Sequence, residues 1–485
     1  MMAMVVLLTS LLTPLIATPV VMVLRDWKRG AVASAIVIGV SCIALLYAAV
    51  LAFEGLVIEE AYPVAPELAL VELQGDGFNL TFAVLIAFLS VAVALYSGEY
   101  MHGSPSPSAY FTLYLIYVSA MMGAVVSGSL TTFFLFFELM LVPSWALIAY
   151  WGTGRREAVA LKYFLFTETG ALLTMAGMAL IYDSYGTLSF SELRSKLATV
   201  SPYELLLPAL LLSIGPLVKM AIIPLHEWLP DAHAEAPTPI SALLSPAMIG
   251  IGGWALARIL LYSMPQVLEL VEIKLVLMAL AVATMVYGSL CALAQDDIKR
   301  LLAYSSISQM GYMLLGIASG TRAGLVGAAL IYVSHGLAKA ALFMVSGFLY
   351  HELGTRSISR MRGLARAMPL SATTTLAAFL CLAGVPPLVG FWAEVEVFLG
   401  AVVSALKFVN LAPLVGIVLA IVATTLTAGY GLWTVKRVFY GELPKGYTIK
   451  ESFSVMSLVP FVLSAAAVVA GVYPAHLVKL ASLIR

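Results

Sequence analysis

"GPLVKMAIIPLHEWLPDAHAEAPTP" (215–239) places Lys219 inside an apolar run and then interrupts that run with Pro224 and Pro230. The rest of the chain says what surrounds this lysine. Of 485 residues, 62% are hydrophobic and 11% charged, and the mean hydropathy is +1.01. A soluble domain carries about 45–50% apolar and about 25% charged residues, so the excess here must face lipid. A spanning helix needs about 20 apolar residues. Fourteen such stretches run over 4–24, 31–53, 78–97, 109–127, 130–151, 159–182, 205–228, 238–262, 272–293, 301–319, 323–350, 370–403, 411–436 and 453–475. Those at 323–350 and 370–403 exceed one crossing and are expected to tilt, kink or contain a break. No period-2 alternation suggests a β-barrel. The expected fold class is an all-α integral membrane protein.

The first apolar run is followed, not preceded, by "RDWKR" (25–29), the reverse of a signal peptide. With fourteen crossings, alternate loops fall on alternate sides. One side collects Arg25, Lys28, Arg29, Arg155, Arg156, Lys299, Arg300, Arg356, Arg360, Arg362, Arg366, Lys436, Arg437, Lys445 and Lys450. The other holds Arg194, Lys196, Arg322 and Arg485, with Lys274, Lys407 and Lys479 near helix ends. A bias of about two to one puts the first set in the cytoplasm and both termini outside. The 57–79 connection, "VIEEAYPVAPELALVELQGDGFN", is an acidic outside loop without Lys or Arg. Cys42, Cys291 and Cys381 stand far apart, without a C-x-x-C pair, and neither a P-loop nor a glycine-rich nucleotide fingerprint occurs. No cofactor, metal or catalytic centre is expected in this chain. A formal net charge of zero gives no basic patch for nucleic acid.

An ionisable side chain near the bilayer centre costs about 2.5–3.5 kcal/mol on insertion scales, so each one suggests a function. Glu138 lies in "TTFFLFFELMLVPSWALIAYWG" (131–152), and Lys162 and Glu168 in "LKYFLFTETGALLTMAG" (161–177). Lys162 is near enough to an end to snorkel; Glu168 is deeper. Lys219 is about fourteen residues into its span, too deep for snorkelling. Burial opposes charge on a lysine and a neighbouring carboxylate favours it, so moving the partner switches its proton affinity. His335 and Lys339, spaced i, i+4, share one helix face, and a histidine suits a proton relay. Glu394 and Glu396 are two apart and point in nearly opposite directions, so one of them at most faces a given path.

Proline explains the opening interruption. Pro224 cannot donate to the Met220 carbonyl, and Pro216 is expected to do the same one turn earlier, leaving Lys219 in unwound backbone with free carbonyls. Irregular backbone at membrane depth requires a protein-buried or wet setting. Pro386–Pro387 ahead of Glu394 repeats the design. Two broken helices beside charges, about five spans apart, suggest an internal repeat and a transport path. Spans 4–8 pair with 9–13, matching fifth with tenth, sixth with eleventh and seventh with twelfth; five being odd, the units are inverted. The expected segments are 1–108 (three helices), 109–262 and 263–436 (the repeats) and 437–485 (loop and last helix).

"KMAIIPLHEWLPDAHAEAPTPISALL" (219–244), "QDDIKRLLAYSSISQMGYMLLG" (295–316), "SHGLAKAALF" (334–343) and "WTVKRVFYGEL" (433–443) resemble the proton-conducting subunits of respiratory complex I, membrane-bound hydrogenases and Mrp-type sodium/proton antiporters. "AEVEVFLG" (393–400) is similar to the chain 4 form, which favours Glu394, whereas "HELGTRSISRMRGLARAMP" (351–369) looks more like the large antiporter subunit and its hydrogenase relatives. The resemblance implies an ion pair of Glu138 with Lys219 and a central path through His335 and Lys339 to Glu394. Asp231, His233, Lys162, Glu168 and Glu396 are possible additions. It also implies a prokaryotic cytoplasmic membrane, antiporter-like partner subunits and a soluble redox arm. One departure stands out. The family usually has a lysine or histidine in the eighth span, where "ALLSPAMIGIGGWALARILL" (242–261) offers Gly250 and Ser245, with Arg258 too near the far end. Water beside Gly250, Gly252 and Gly253, or Glu168, is expected to bridge the gap. The alternatives are a subunit of a multisubunit sodium/proton antiporter and a degenerate structural subunit.

Overall fold

The computed structural model describes residues 5–65, 69–408, 412–443 and 450–485. Met4, Leu411, Lys445 and part of the 57–79 connection lie outside these residues. Among the described residues, eleven helices are long and apolar enough to cross a membrane, and Val6–Met22, Leu206–Lys219 and Pro369–Leu382 are shorter apolar helices. The chain is a multi-pass membrane protein. Its centre is built from Ile298–Ala318, Arg322–Leu353 and the Thr238–Ser263 span, whose apolar windows are 94%, 100% and 100% buried. Outer helices show the opposite pattern. Val32, Ile36, Val40 and Ile43 of Trp27–Phe53, and Val415, Val418 and Val422 of Ala412–Phe439, are exposed as a lipid-facing surface would be.

Among the described residues, two crossings are broken by a stretch of several non-helical residues. Leu206–Lys219 has 14 residues, about 21 Å at the helical rise, too short for a hydrocarbon layer of about 30 Å. The chain resumes as Trp228–Glu235. Pro369–Leu382 likewise stops and resumes as Val389–Ala405. By contrast Arg322–Leu353 runs unbroken for 32 residues. Pro216 lies inside its helix rather than ending it. The expectation of free carbonyls around Lys219 is corrected too. Pro216 O accepts from Met220 N at 2.9 Å, Leu217 O from Ile222 N at 3.1 Å, and Val218 O from the Trp228 indole at 3.0 Å. Buried carbonyls are costly to leave unpaired, and the chain turning back after the break supplies the donors. The turn is bought with Ala221 in a left-handed conformation, φ 53°, which an L-residue with a Cβ adopts only under strain.

The all-α expectation also needs amending. The acidic connection forms an antiparallel hairpin, β1 (Ile58–Ala65) and β2 (Ala69–Gly75). Its carboxylate has a use: Glu60 accepts from Leu7 N at 2.8 Å and Leu8 N at 2.9 Å, satisfying orphan amides at the start of the first helix. On the same side, buried Arg258 pairs with Asp76 and donates to the Arg485 carbonyl at 2.9 Å. That contact explains why Arg258 tolerates complete burial, and it ties the last helix to the body of the bundle.

Candidate functional site

Lys219 is the last residue of its half-helix and is 1% exposed. Its ammonium lies 4.7 Å from the Phe137 ring and 5.8 Å from the Tyr163 ring and has no hydrogen-bond partner among the described residues. Aromatic faces attract a desolvated cation, but they accept no proton. Glu138 and Glu168 are the carboxyl groups near it. Their carboxyls interact with each other, and both act electrostatically on Lys219. Glu138 stands where the Leu130–Trp151 span is interrupted between Leu130–Leu139 and Leu141–Trp151; Pro143, unable to donate to Leu139, accounts for the interruption. Both carboxylates are half-buried at the edge of the bundle. Glu168 therefore belongs with Lys219 rather than in the eighth-span gap.

The second cluster is wholly internal. His335 and Lys339 are both 0% exposed. The Lys339 ammonium donates to Leu302 O at 2.8 Å, and Ser306 Oγ donates to the same carbonyl at 2.8 Å. Ser306 Oγ lies 2.7 Å from Ser245 Oγ, and His335 Nε2 faces the Ser245 carbonyl at 3.2 Å and its hydroxyl at 3.4 Å. His335 and Lys339 are thus joined by two hydroxyls and a carbonyl. Ser245 sits in a π-helical turn, Leu244–Met248. Pro246 within it cannot donate an amide bond, and the wider turn absorbs the mismatch. Such turns often occur at functional positions. The turn also reaches the first cluster, because the Tyr163 hydroxyl contacts Met248 Sδ at 3.4 Å and Ser144 Oγ at 2.8 Å.

The glycines of the Thr238–Ser263 span hold no space for water. A Cβ on Gly250 would strike the Tyr332 ring, one on Gly252 the Pro216 carbonyl, and one on Gly253 the Met313 thioether. Tyr332 donates its hydroxyl to Ala247 O at 2.9 Å. Protein, not solvent, fills the position of the missing lysine. Sequence reading missed Ser245 as a ligand of His335, and missed Ser306 and Tyr163 altogether. The signals were Pro246 inside an apolar span and the paired hydroxyls in "AYSSIS".

Glu394 is buried while Glu396 is only half-buried. Gly384, at φ 65°, has room for the Glu394 carboxyl where a side chain would lie. Tyr312 and Tyr430 lie within electrostatic reach of Glu394, and Tyr430 shares a 2.6 Å hydrogen bond with Ser305. Lys162 and Asp231 form a peripheral ion pair at 3.0 Å, with Arg300 on the other carboxylate oxygen at 2.7 Å. His233 is completely buried, and neither ring nitrogen has a hydrogen-bond partner among the described residues.

Residues 127–427 match the family described as NADH:quinone oxidoreductase/Mrp antiporter, TM, and residues 69–111 match the NADH-ubiquinone oxidoreductase (complex I) chain 5 N-terminus. NAD(P)H-quinone oxidoreductase chain 4 1 of Synechococcus sp. (strain JA-3-3Ab) is 34% identical over 78% of this chain and 70% of its own length. A chain of respiratory complex I from Thermus thermophilus superposes with a TM-score of 0.85 at 26% identity, covering 98% of each chain. A chain of the membrane-bound sulfane sulfur reductase, an archaeal respiratory membrane complex, gives a TM-score of 0.86 at 26% identity, covering 98% of this chain and 97% of that one.

Proposed function

The chain belongs to the NADH:quinone oxidoreductase/Mrp antiporter membrane family, and we propose that it is the proton-translocating membrane subunit of a redox-driven, complex I-like or hydrogenase-type assembly. Glu138 and Glu168 control whether Lys219 holds its proton. Displacing the carboxylates from the ammonium favours release, because burial alone opposes the charge. The proton then passes from the Lys219 cluster to the buried cluster of His335 and Lys339, and leaves past Glu394. The carrying observation is the buried cluster in which Ser245 and Ser306 connect His335 to the Leu302 carbonyl that also accepts from the Lys339 ammonium. Partner subunits supply the driving energy, with a soluble redox arm and antiporter-like paralogues as the expected neighbours. The site is a prokaryotic cytoplasmic membrane, with both termini outside.

Fourteen crossings in two inverted five-helix repeats accommodate this path. Ser129 bridges Ser189, and Asp297 bridges Ser357; Ser129 and Asp297 are 168 residues apart, as are Ser189 and Ser357. Arg156–Tyr185 and Arg322–Leu353 both end on a left-handed glycine, Gly186 and Gly354. The same offset puts Ser306 at the position equivalent to Glu138.

The test uses the intact complex in liposomes. Lys219→Ala is expected to lower protons moved per electron while assembly and redox turnover persist. Unchanged proton movement overturns the reading in favour of a structural subunit. Sodium movement without redox turnover overturns it in favour of antiport.

A further inference from the structure

The last turns of Ala412–Phe439 carry a group of side chains that the proton path does not use. Val422, Thr425, Gly429, Trp433, Lys436 and Tyr440 follow one another at intervals of three or four residues and so share one helix face. Tyr440 continues the last turn, its amide donating to Lys436 O at 3.2 Å. All six are exposed. The first three are uncharged, and a Cβ on Gly429 would meet nothing within 4 Å. Trp433 and Tyr440, 50% and 59% exposed, are the amphipathic rings that settle at a membrane–water interface. From the helix end inward, this stripe passes from water through the headgroup layer to the acyl region.

At its water end the stripe meets a cavity of about 340 Å³, lined by Arg362, Trp433, Lys436, Arg437, Tyr440 and Gly441 among others. Small-molecule sites usually measure about 300–1,000 Å³. Two separate parts of the chain build its cationic wall. Arg362 comes from the connection after Arg322–Leu353. Gly441, at φ 98°, admits it: Arg362 Nε lies 2.9 Å from where a Cβ on Gly441 would stand. Lys436 arrives on the helix, its ammonium 5.5 Å from the centre of the Trp433 ring. The neighbouring acid is already occupied. Asp296 accepts from Ser359 N at 2.9 Å and from Ser359 Oγ at 3.0 Å, and pairs with Arg437 at 3.4 Å. Glu442 is exposed and does not line the cavity. Among the described residues, Arg362 and Lys436 have no carboxylate partner.

We propose that the cavity and the stripe together hold an anionic phospholipid of the adjoining leaflet. Its phosphate lies on Arg362 and Lys436, its glycerol against Trp433, and one acyl chain along Gly429, Thr425 and Val422. A guanidinium fork takes two phosphate oxygens at once, and basic pockets on the side of the basic loops suit anionic headgroups. A soluble phosphate would use the two cations and leave the uncharged stripe bare; a neutral lipid would use the stripe and leave the cations unmatched. The site is independent of the proton path.

The test places the intact complex in nanodiscs of phosphatidylcholine with a trace of phosphatidylglycerol carrying a diazirine in one acyl chain. Irradiation and peptide mapping are expected to find label on 422–433, removed by excess unlabelled phosphatidylglycerol. Phosphatidylcholine bearing the same diazirine is expected to label this segment far less, a comparison that needs no variant. Arg362→Gln combined with Lys436→Gln should lower the phosphatidylglycerol label about tenfold or more, as the loss of two interfacial cations implies. Arg362→Lys combined with Lys436→Arg keeps both charges and should keep most of the label. Equal labelling by the two lipids overturns the site, since it describes bulk lipid at an ordinary surface. A label that survives the double glutamine variant also overturns it, as does an unlabelled segment covered by a partner subunit.

Discussion

Arg156–Tyr185 and Arg322–Leu353 are nearly equal in length, at 30 and 32 residues, and both end in a left-handed glycine. Their environments are opposite: the apolar window of the first is 39% buried and that of the second 100%. The first carries Lys162 and Glu168, both half-buried, toward the bundle edge. The second carries His335 and Lys339 in its core. The difference teaches how one helical design serves two tasks. An edge carboxylate beside Lys219 can respond to whatever packs against that edge. A core lysine bonded to Leu302 O and connected through Ser306 keeps its neighbours in place.

The largest effect expected inside this comparison comes from Lys339→Ala. Removing the core ammonium should lower the chain's share of proton movement about 10²-fold or more, on the scale of losing a proton-transfer group. Glu168→Gln, at the edge, should lower it far less, and equal losses would dissolve the distinction. Next comes Gly384→Ala. A Cβ there meets the Glu394 carboxyl, and φ 65° penalises it further, so we expect about 1–2 kcal/mol of lost stability together with impaired proton exit, read by thermal denaturation of the complex and by pumping. Ser306→Ala tests the hydroxyl link alone. It should slow proton movement severalfold without changing thermal stability by more than about 1.5 kcal/mol; unchanged pumping would show that His335 and Lys339 do not communicate through Ser245 and Ser306.

The smallest effect concerns the two bridges that mark the paired units. Beside Ser129↔Ser189 stands Glu72, which burial holds above its usual range against the opposing Ser189 hydrogen bond, so that its protonation on acidification does not weaken the fold, whereas Asp297↔Ser357 lies beside Asp296. Burial alone would raise the Asp296 carboxyl. The Ser357 hydroxyl, the Ser359 amide and hydroxyl, and Arg437 outweigh it and hold the group below its usual range. A lowered folded value contributes stability above the unfolded carboxylate range, near pH 4, that is lost as pH falls through the lowered value. Acidification should therefore raise amide exchange around 357–359 before 189–190, and simultaneous loosening would break the contrast.

Much of this site was legible from the chain because lipid makes charge conspicuous. Glu138, Lys219, His335, Lys339 and Glu394 stood out against apolar neighbours, and Pro224 and Pro386–Pro387 announced the breaks. Ser306 did not stand out, since a serine hydroxyl in a transmembrane helix can simply bond its own preceding turn; Tyr163 did not because its partners Ser144 and Met248 lie on other helices. The β1–β2 hairpin was hidden by its acidic character: only the first helix, brought against Glu60, shows why that carboxylate is there.

Composition and the placement of charge determined by themselves that this chain crosses a membrane many times and keeps ionisable groups within it, because the free-energy cost of such groups depends on residue type and depth. Which groups meet was decided by tertiary structure alone. The ring of Tyr332 filling the place beside Gly250, the π turn that turns Ser245 toward His335, and the burial of His233 against Phe343 all depend on helices distant in sequence, and a contact between such helices leaves no periodic trace in either one.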